Sequence, residues 1–410
     1  MRKISKISLV AAVAVAGLVS ANAQPLEEAI KNVEVSGSVV YRYNNFDNNG
    51  VTPARAQTED NNYKIGLNLS SVVNDYVKFN SRFIVGNTSG NAGFATLGSK
   101  KNESGDAEAG VYLSNAYFGF TAIPNTVVNV GKQGLTTPWT VAVDAAGNEQ
   151  NGTGILALTT LGPVTAGAGY FNATNLNASG DDATGTLSTV VKNGSDVYVA
   201  TVQGDLDFVK LEAWYLGLQN TLDSYALAAT SKLDLAENAK LGLEARYVDL
   251  ELDKAVYGTN KKGAENSMFR FAVDGKFGIV NARLAYTKTG KNGGLTATDN
   301  DAKNTSLGWA ITSNGKADAN YYQAALGVDI LDNLNFTLHY GQLKSKDVTT
   351  TLIANLDNRK EKEVYGQLTY KMSKNLNTYV RYGNYERKTL STGVKDVDQN
   401  RGRIQVAYTF

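Results

Sequence analysis

Cysteine is absent from all 410 residues, so a disulfide framework and a thiolate metal centre are both excluded. A large basic excess is also lacking: 40 Lys and Arg stand against 39 Asp and Glu. That balance excludes the strongly basic face of a nucleic-acid binder. Proline occurs 5 times, methionine 3 times and histidine once. Beyond the first two dozen residues no apolar run is long enough for a helical membrane span.

The exception at the start is MRKISKISLVAAVAVAGLVSANA, residues 1–23. A basic segment, a short apolar stretch and an Ala21-Asn22-Ala23 cleavage pattern predict a removable export signal, with the mature chain from Gln24 to Phe410 as one domain. A single-pass anchor is the competing reading, although the apolar stretch is short for a span. Removing Arg2, Lys3 and Lys6 leaves 37 basic against 39 acidic residues, a net charge of −2. An exported chain of this length without disulfides needs a large, continuous fold.

What the sequence does hold is 40 Gly, 22 Tyr and 13 Phe, and apolar residues recurring at every second position. Val33, Val35, Val39, Tyr41 and Tyr43 alternate with Glu34, Ser36, Ser38 and Arg42. The last residues, RIQVAYTF, place Ile404, Val406, Tyr408 and Phe410 on one face and Arg403, Gln405, Ala407 and Thr409 on the other. Period two is the strand signature. Reading the whole chain this way yields about eighteen strands, an even number suited to a membrane barrel.

Short turns such as GP (162–163), LAEN (235–238) and SKN (373–375) alternate with long polar segments at 44–62, 86–108, 172–195, 252–266, 288–318, 344–361 and 386–400. A water-soluble β-sandwich would bury its apolar face and could not hold Lys, Arg and Glu on strand after strand. The expected fold is therefore an all-β, transmembrane antiparallel β-barrel with short periplasmic turns and long extracellular loops. Its polar face lines an aqueous lumen and its apolar face meets lipid.

PLEEAIKNVEVSG followed by YRYNNFD, then VNVGKQ and PWT, resembles the major outer membrane proteins of the Campylobacter type. The specific likeness covers mainly residues 25–46 and 128–155. RIQVAYTF is similar too, but many outer-membrane barrels share such an ending. The resemblance implies a homotrimeric, general-diffusion porin of the bacterial outer membrane. It further implies one long loop folded into the lumen, a leaning toward cations and calcium as an accessory ion. Expected surroundings are outer-membrane lipid and lipopolysaccharide, ions and small hydrophilic solutes, with no nucleic acid and no required cofactor.

On that reading the inward loop is 134–154, with Asp144 and Glu149 as constriction carboxylates and Asp144 the calcium candidate. The clustered oxygens of SGDD (179–182) and TDNDAKN (298–304) are weaker calcium candidates, of the kind ordinary turns also supply. The expected pore wall includes Arg42, Lys64, Arg82, Glu244, Arg246, Arg270, Arg283 and Arg381. Acidic loop against basic wall would set a field across the gap. So many arginines hold the expected cation preference to a weak one.

Alternatives remain. A solute-specific channel, for example for sugars, would need an aromatic track, for which Phe208, Trp214, Tyr365 and Tyr379 are candidates. A hydrolase would use the lone His339 as base, but no G-x-S-x-G elbow supplies its serine. Long loops would also suit an adhesin. An enzyme is not expected.

Overall fold

The computed structural model describes residues 33–49, 58–87, 93–97, 109–176, 194–258, 262–346 and 358–410. The expected leader and SGDD (179–182) lie outside these residues.

The chain forms strands β1 (Val33–Asn48), β2 (Thr58–Asn74), β3 (Val77–Gly86), β4 (Ala95–Leu97), β5 (Gly110–Phe120) and β6 (Thr126–Gly134). Next come β7 (Asn151–Leu161), β8 (Val164–Thr174), β9 (Val197–Leu206), β10 (Val209–Leu218), β11 (Leu222–Ala236) and β12 (Ala239–Leu252). The last are β13 (Glu265–Phe277), β14 (Val280–Thr289), β15 (Ala317–Leu331), β16 (Leu334–Lys346), β17 (Arg359–Lys371), β18 (Leu376–Thr389) and β19 (Lys395–Thr409). Each strand pairs antiparallel with the next except at β4, where β3 pairs with β5, and β19 pairs back onto β1, Tyr41 opposite Val406. One strand, β4, only adds to the end of β2, so the closed barrel has eighteen strands. A single helical turn, α1 (Lys254–Tyr257), follows β12.

Each of the strands read from the sequence corresponds to one barrel strand. Several run longer than expected: β1 and β2 have 16 and 17 residues. Much of the segments 44–62 and 386–400, expected to be loops, is paired strand continuing to Asn48, Thr389 and back from Lys395. Beyond the bilayer both faces of a strand can be polar, so the alternation that marks a strand fades while its hydrogen-bond ladder continues. The short turns fall at one rim, where Gly162 and Gly278 supply the positive φ of tight hairpins, 58° and 57°.

The outer face is apolar. Leu227, Leu284, Val380 and Ile404 point outward and are exposed. Tyrosine pairs stand opposite one another on that face: Tyr170 with Tyr198, Tyr215 with Tyr225, and Tyr286 with Tyr322, ring centroids 5.0–5.3 Å apart. The hydroxyls of Tyr215 and Tyr286 donate to Asp223 and Asn320 at 2.5 and 2.8 Å. An apolar ring with a polar tip suits the edge of the hydrocarbon layer. The terminal RIQVAYTF is thus the closing strand, Ile404 and Tyr408 outward and Arg403 and Gln405 inward.

The interior is not uniformly polar. On the β8–β13 side, Phe171, Val199, Leu216, Ala226, Val248 and Met268 face inward and are buried. They are covered by chain that enters the barrel from its long-loop rim.

Candidate functional site

Two segments fold into the barrel, where one was expected. The first, residues 135–150, joins β6 to β7 and is the loop foreseen at 134–154. The second, residues 290–316, joins β14 to β15 and was expected to be extracellular as part of 288–318. Thr296, Asp299, Asn304 and Ser313 of this segment are all fully buried. The missed signal is its apolar content: Leu295, Ala297, Trp309 and Ile311 are more than a solvated loop needs. Leu295 and Ala297 join the apolar inner patch together with Trp139.

The first segment is pinned to the β2–β5 wall through Glu149. Its carboxylate accepts from Lys64 at 2.8 Å, from Arg82 at 2.8 Å and from the Ser114 hydroxyl. Lys64 also donates to the Gly147 carbonyl. Glu149 is 2 % exposed, so this carboxylate anchors the loop. Asp144 is also buried, with its two oxygens accepting from the Asn148 backbone and side-chain amides at 2.7 Å each. Ala145 and Ala146, rather than Asp144 or Glu149, line the open compartment described below.

Burial alone would push the Glu149 carboxyl up, but Arg82 and Lys64 outweigh it and hold the group below its ordinary 4.5. A carboxyl depressed in the folded state stabilises it above the unfolded pKa, and that contribution is lost as pH falls through the folded value. Conductance should therefore be level around neutral pH, with current noise rising only once the pH falls below the ordinary carboxyl value. Recordings across that range on wild type and Glu149→Gln check this, since the variant should lack the acid-dependent step.

The two segments bind one another. The Trp139 carbonyl accepts from the Thr298 amide at 3.0 Å and hydroxyl at 2.7 Å, and the Pro138 carbonyl accepts from the Asn304 amide at 2.9 Å. Gln150 donates to Asp299 at 3.0 Å, and the Ala145 amide donates to Asp301 at 2.8 Å. The second segment is then fastened to the opposite wall. Glu363 accepts from the amides of Trp309 and Ala310 at 3.1 and 2.7 Å, and Lys316 meets Glu361 at 2.5 Å. Together the segments bridge the lumen from β2 to β17.

The expected wall residues divide by partner. Arg82 holds Glu149; Glu244 bridges Arg246 and Arg270 at 3.1 and 2.6 Å; Arg283 meets Asp274 at 2.6 Å. These charges are largely cancelled. Arg42 instead donates to Gln405 at 2.8 Å, and Arg381 to Gln367 at 2.8 and 2.6 Å. Of the expected set, Arg42, Arg270 and Arg381 line the compartment. Sequence reading passed over Arg401 and Trp309; Arg403 was noted only as part of the closing strand.

The compartment left between the segments and the β17–β19, β1 and β2 wall is about 900 Å³. On its wall, Tyr365 carries His339 stacked at 4.5 Å and Trp309 edge-on at 5.3 Å. His339 stacks on Tyr365 but is not itself among the residues that line the compartment. The aromatic track does not form: Phe208 lies in a rim turn and is exposed, and Trp214 lines a separate recess with Leu156 and Phe171. Gly383 stands opposite Tyr365, where an added Cβ would lie 2.2 Å from the Val364 carbonyl and 2.3 Å from the Tyr365 Cβ. Gly383→Ala should therefore cost about 1–3 kcal/mol through overpacking, read as a lower unfolding midpoint together with altered conductance.

The carboxylates expected to hold calcium have protein partners. Among the described residues no three His, Cys, Asp or Glu side chains converge on a common point, and Asp144 is committed to Asn148. Asp299 and Asp301 of TDNDAKN are engaged with Gln150 and the Ala145 amide.

The barrel resembles solved structures of low sequence identity. OpdL of Pseudomonas aeruginosa is 17 % identical with a TM-score of 0.71, covering 93 % of this chain and 99 % of its own. OpdK of the same organism, solved with vanillate, is 16 % identical with a TM-score of 0.69 and the same coverages. OccAB3 of Acinetobacter baumannii is 14 % identical with a TM-score of 0.68, again covering 93 % and 99 %. No curated protein matches the sequence. The family model described as Campylobacter major outer membrane protein matches residues 1–410. A closed eighteen-stranded barrel with an apolar exterior, a bridged lumen and a whole-length family match leads to one conclusion: the chain belongs to the Campylobacter major outer membrane protein family and is a porin-type channel of the bacterial outer membrane.

Proposed function

We propose that this porin passes small hydrophilic solutes and ions by diffusion through the compartment beside the two bridged segments. The observation that carries the reading is the bridge itself: it narrows the lumen to one side and leaves a water-accessible space of about 900 Å³. A barrel of this strand number would otherwise leave a wide channel.

The lining argues for a different ion preference from the weak cation preference implied by Asp144 and Glu149. Both carboxylates are buried, while seven arginines and two lysines line the compartment; Arg270, Arg387, Lys303 and Lys316 are paired with carboxylates, and the remaining arginines leave an excess of positive charge over Asp301. A passage lined by one sign of charge between low-dielectric walls concentrates the opposite ion. The proposed preference is for anions. Three barrels per assembly, set among outer-membrane lipid and lipopolysaccharide, is the arrangement that family membership supports. Planar-bilayer recording under a salt gradient tests these points: ohmic steps in threes with a reversal potential of anion sign are expected. A folded barrel without conductance would overturn the channel reading, and a cation-sign potential would overturn the ion preference.

A second reading, a channel for one solute class, is favoured by the arginines whose partners are neutral amides. The similar barrel of OpdK was solved with vanillate. Saturable block of the ion current by a solute separates this reading from free diffusion.

A further inference from the structure

We propose that the inner wall of β18, β19 and β1 holds a binding site for small aromatic carboxylates; the proposal rests on the channel reading above. Arg381 and Arg403 stand directly opposite one another across β18 and β19, both inward. Arg401 is two residues along from Arg403, and Arg42 is one strand further round the wall. Like charges directly opposed on a sheet are destabilising, so the arrangement needs compensation.

The compensation comes from neutral groups. Arg403 donates to Asn44 at 2.7 Å, Arg42 to Gln405 at 2.8 Å, and Arg381 to Gln367 at 2.8 and 2.6 Å. An amide oxygen satisfies and orients a guanidinium without cancelling its charge. Of the carboxylates near this wall, Glu361 holds Lys316 and the Tyr385 hydroxyl, Glu363 accepts from the Trp309 and Ala310 amides, and Asp60 accepts from Asn44 and Asn62 and offsets part of the Arg403 charge. An anion arriving here meets the oriented donors of Arg42, Arg381 and Arg403, whose side-chain hydrogen-bond partners are neutral amides.

The aromatic half of the site is Trp309 and Tyr365. The Trp309 ring has the guanidinium carbons of Arg401, Arg381 and Arg403 at 4.9, 5.0 and 5.8 Å from its centroid. Arg381 also lies 5.0 Å from the Tyr365 centroid. Guanidinium planes over rings form a layered surface on which another flat ring gains contact. A carboxylate fits the paired donors of a guanidinium through two parallel hydrogen bonds. A ligand with a ring at one end and a carboxylate at the other satisfies both halves, and the compartment is roomy enough for it to enter and leave.

The test is block of single-channel chloride current by benzoate, compared with acetate, inorganic phosphate and benzyl alcohol at equal concentration. The expected result is saturable block by benzoate, at least tenfold stronger than by any of the other three. Arg381→Gln should weaken it at least fivefold, while Arg381→Lys, which keeps the charge but not the flat stacking surface, should fall between. Each variant is scored only on barrels whose heat-modifiable migration shows them folded. Equal block by acetate or phosphate would overturn the aromatic specificity. Undiminished benzoate block in Arg381→Gln and Arg403→Gln barrels would overturn the site. Normal conductance without benzoate block sinks this proposal and leaves the channel reading standing, whereas no conductance at all sinks the channel reading itself.

Discussion

Glu149→Gln should raise single-channel conductance and convert quiet current into noisy, fluctuating steps. The carboxylate is the point at which the first inward segment is tied to the wall, with Lys64 and Arg82 both 2.8 Å away. Losing one member of a buried ion pair typically costs about 3–5 kcal/mol, because the remaining charge stays buried without its counter-charge. Here two cations would be left, close enough to repel. At about 1.4 kcal/mol per factor of ten, the balance between seated and released segment shifts by roughly 100- to 4000-fold. A Glu149→Gln/Lys64→Gln double variant removes one stranded cation and should recover part of the loss. Unchanged conductance and noise in Glu149→Gln would mean that the segment is held by its contacts with residues 290–316 alone.

The second large effect is expected from Trp139→Ala. The Trp139 ring is fully buried between the inner wall and the second segment, and its indole nitrogen donates to Ser224 at 2.7 Å. Deleting a buried aromatic side chain costs about 3–5 kcal/mol. The loss falls on the contact between the two segments, since the neighbouring Trp139 carbonyl receives both Thr298 donors. Limited proteolysis should cut within residues 290–316 in the variant and leave wild type intact there, with the barrel itself still resistant. Trp139→Phe keeps most of the packing and loses one hydrogen bond, for which about 1 kcal/mol is expected. Identical proteolysis of Trp139→Ala and wild type would show that each segment is fastened to the wall independently of the other.

Arg246, Arg381 and Trp309 mark where sequence reading stops. For Arg246 and Arg381, inward direction follows from strand parity, because a residue on a lipid-facing strand has only two directions and one of them excludes charge. Nothing in that parity says that Arg246 is neutralised by Glu244 while Arg381 keeps an amide partner. Partners are decided by register between strands, and register is a property of the closed sheet. Trp309 had no such parity to read, because it sits in a segment without strand period.

By itself, then, the sequence determined the strands, their lipid and lumen faces, and the closing role of RIQVAYTF. These depend on alternation within one strand and on the chemistry of bilayer against water, both local. Only the tertiary structure decided that residues 290–316 also turn inward, that Glu149 is buried against Lys64 and Arg82, and that three arginines gather around one tryptophan. Each of those outcomes depends on residues far apart in the chain meeting across the lumen. Barrel closure, β19 onto β1, is what brings Arg403 beside Asn44 and places Arg42 and Arg381 on one wall.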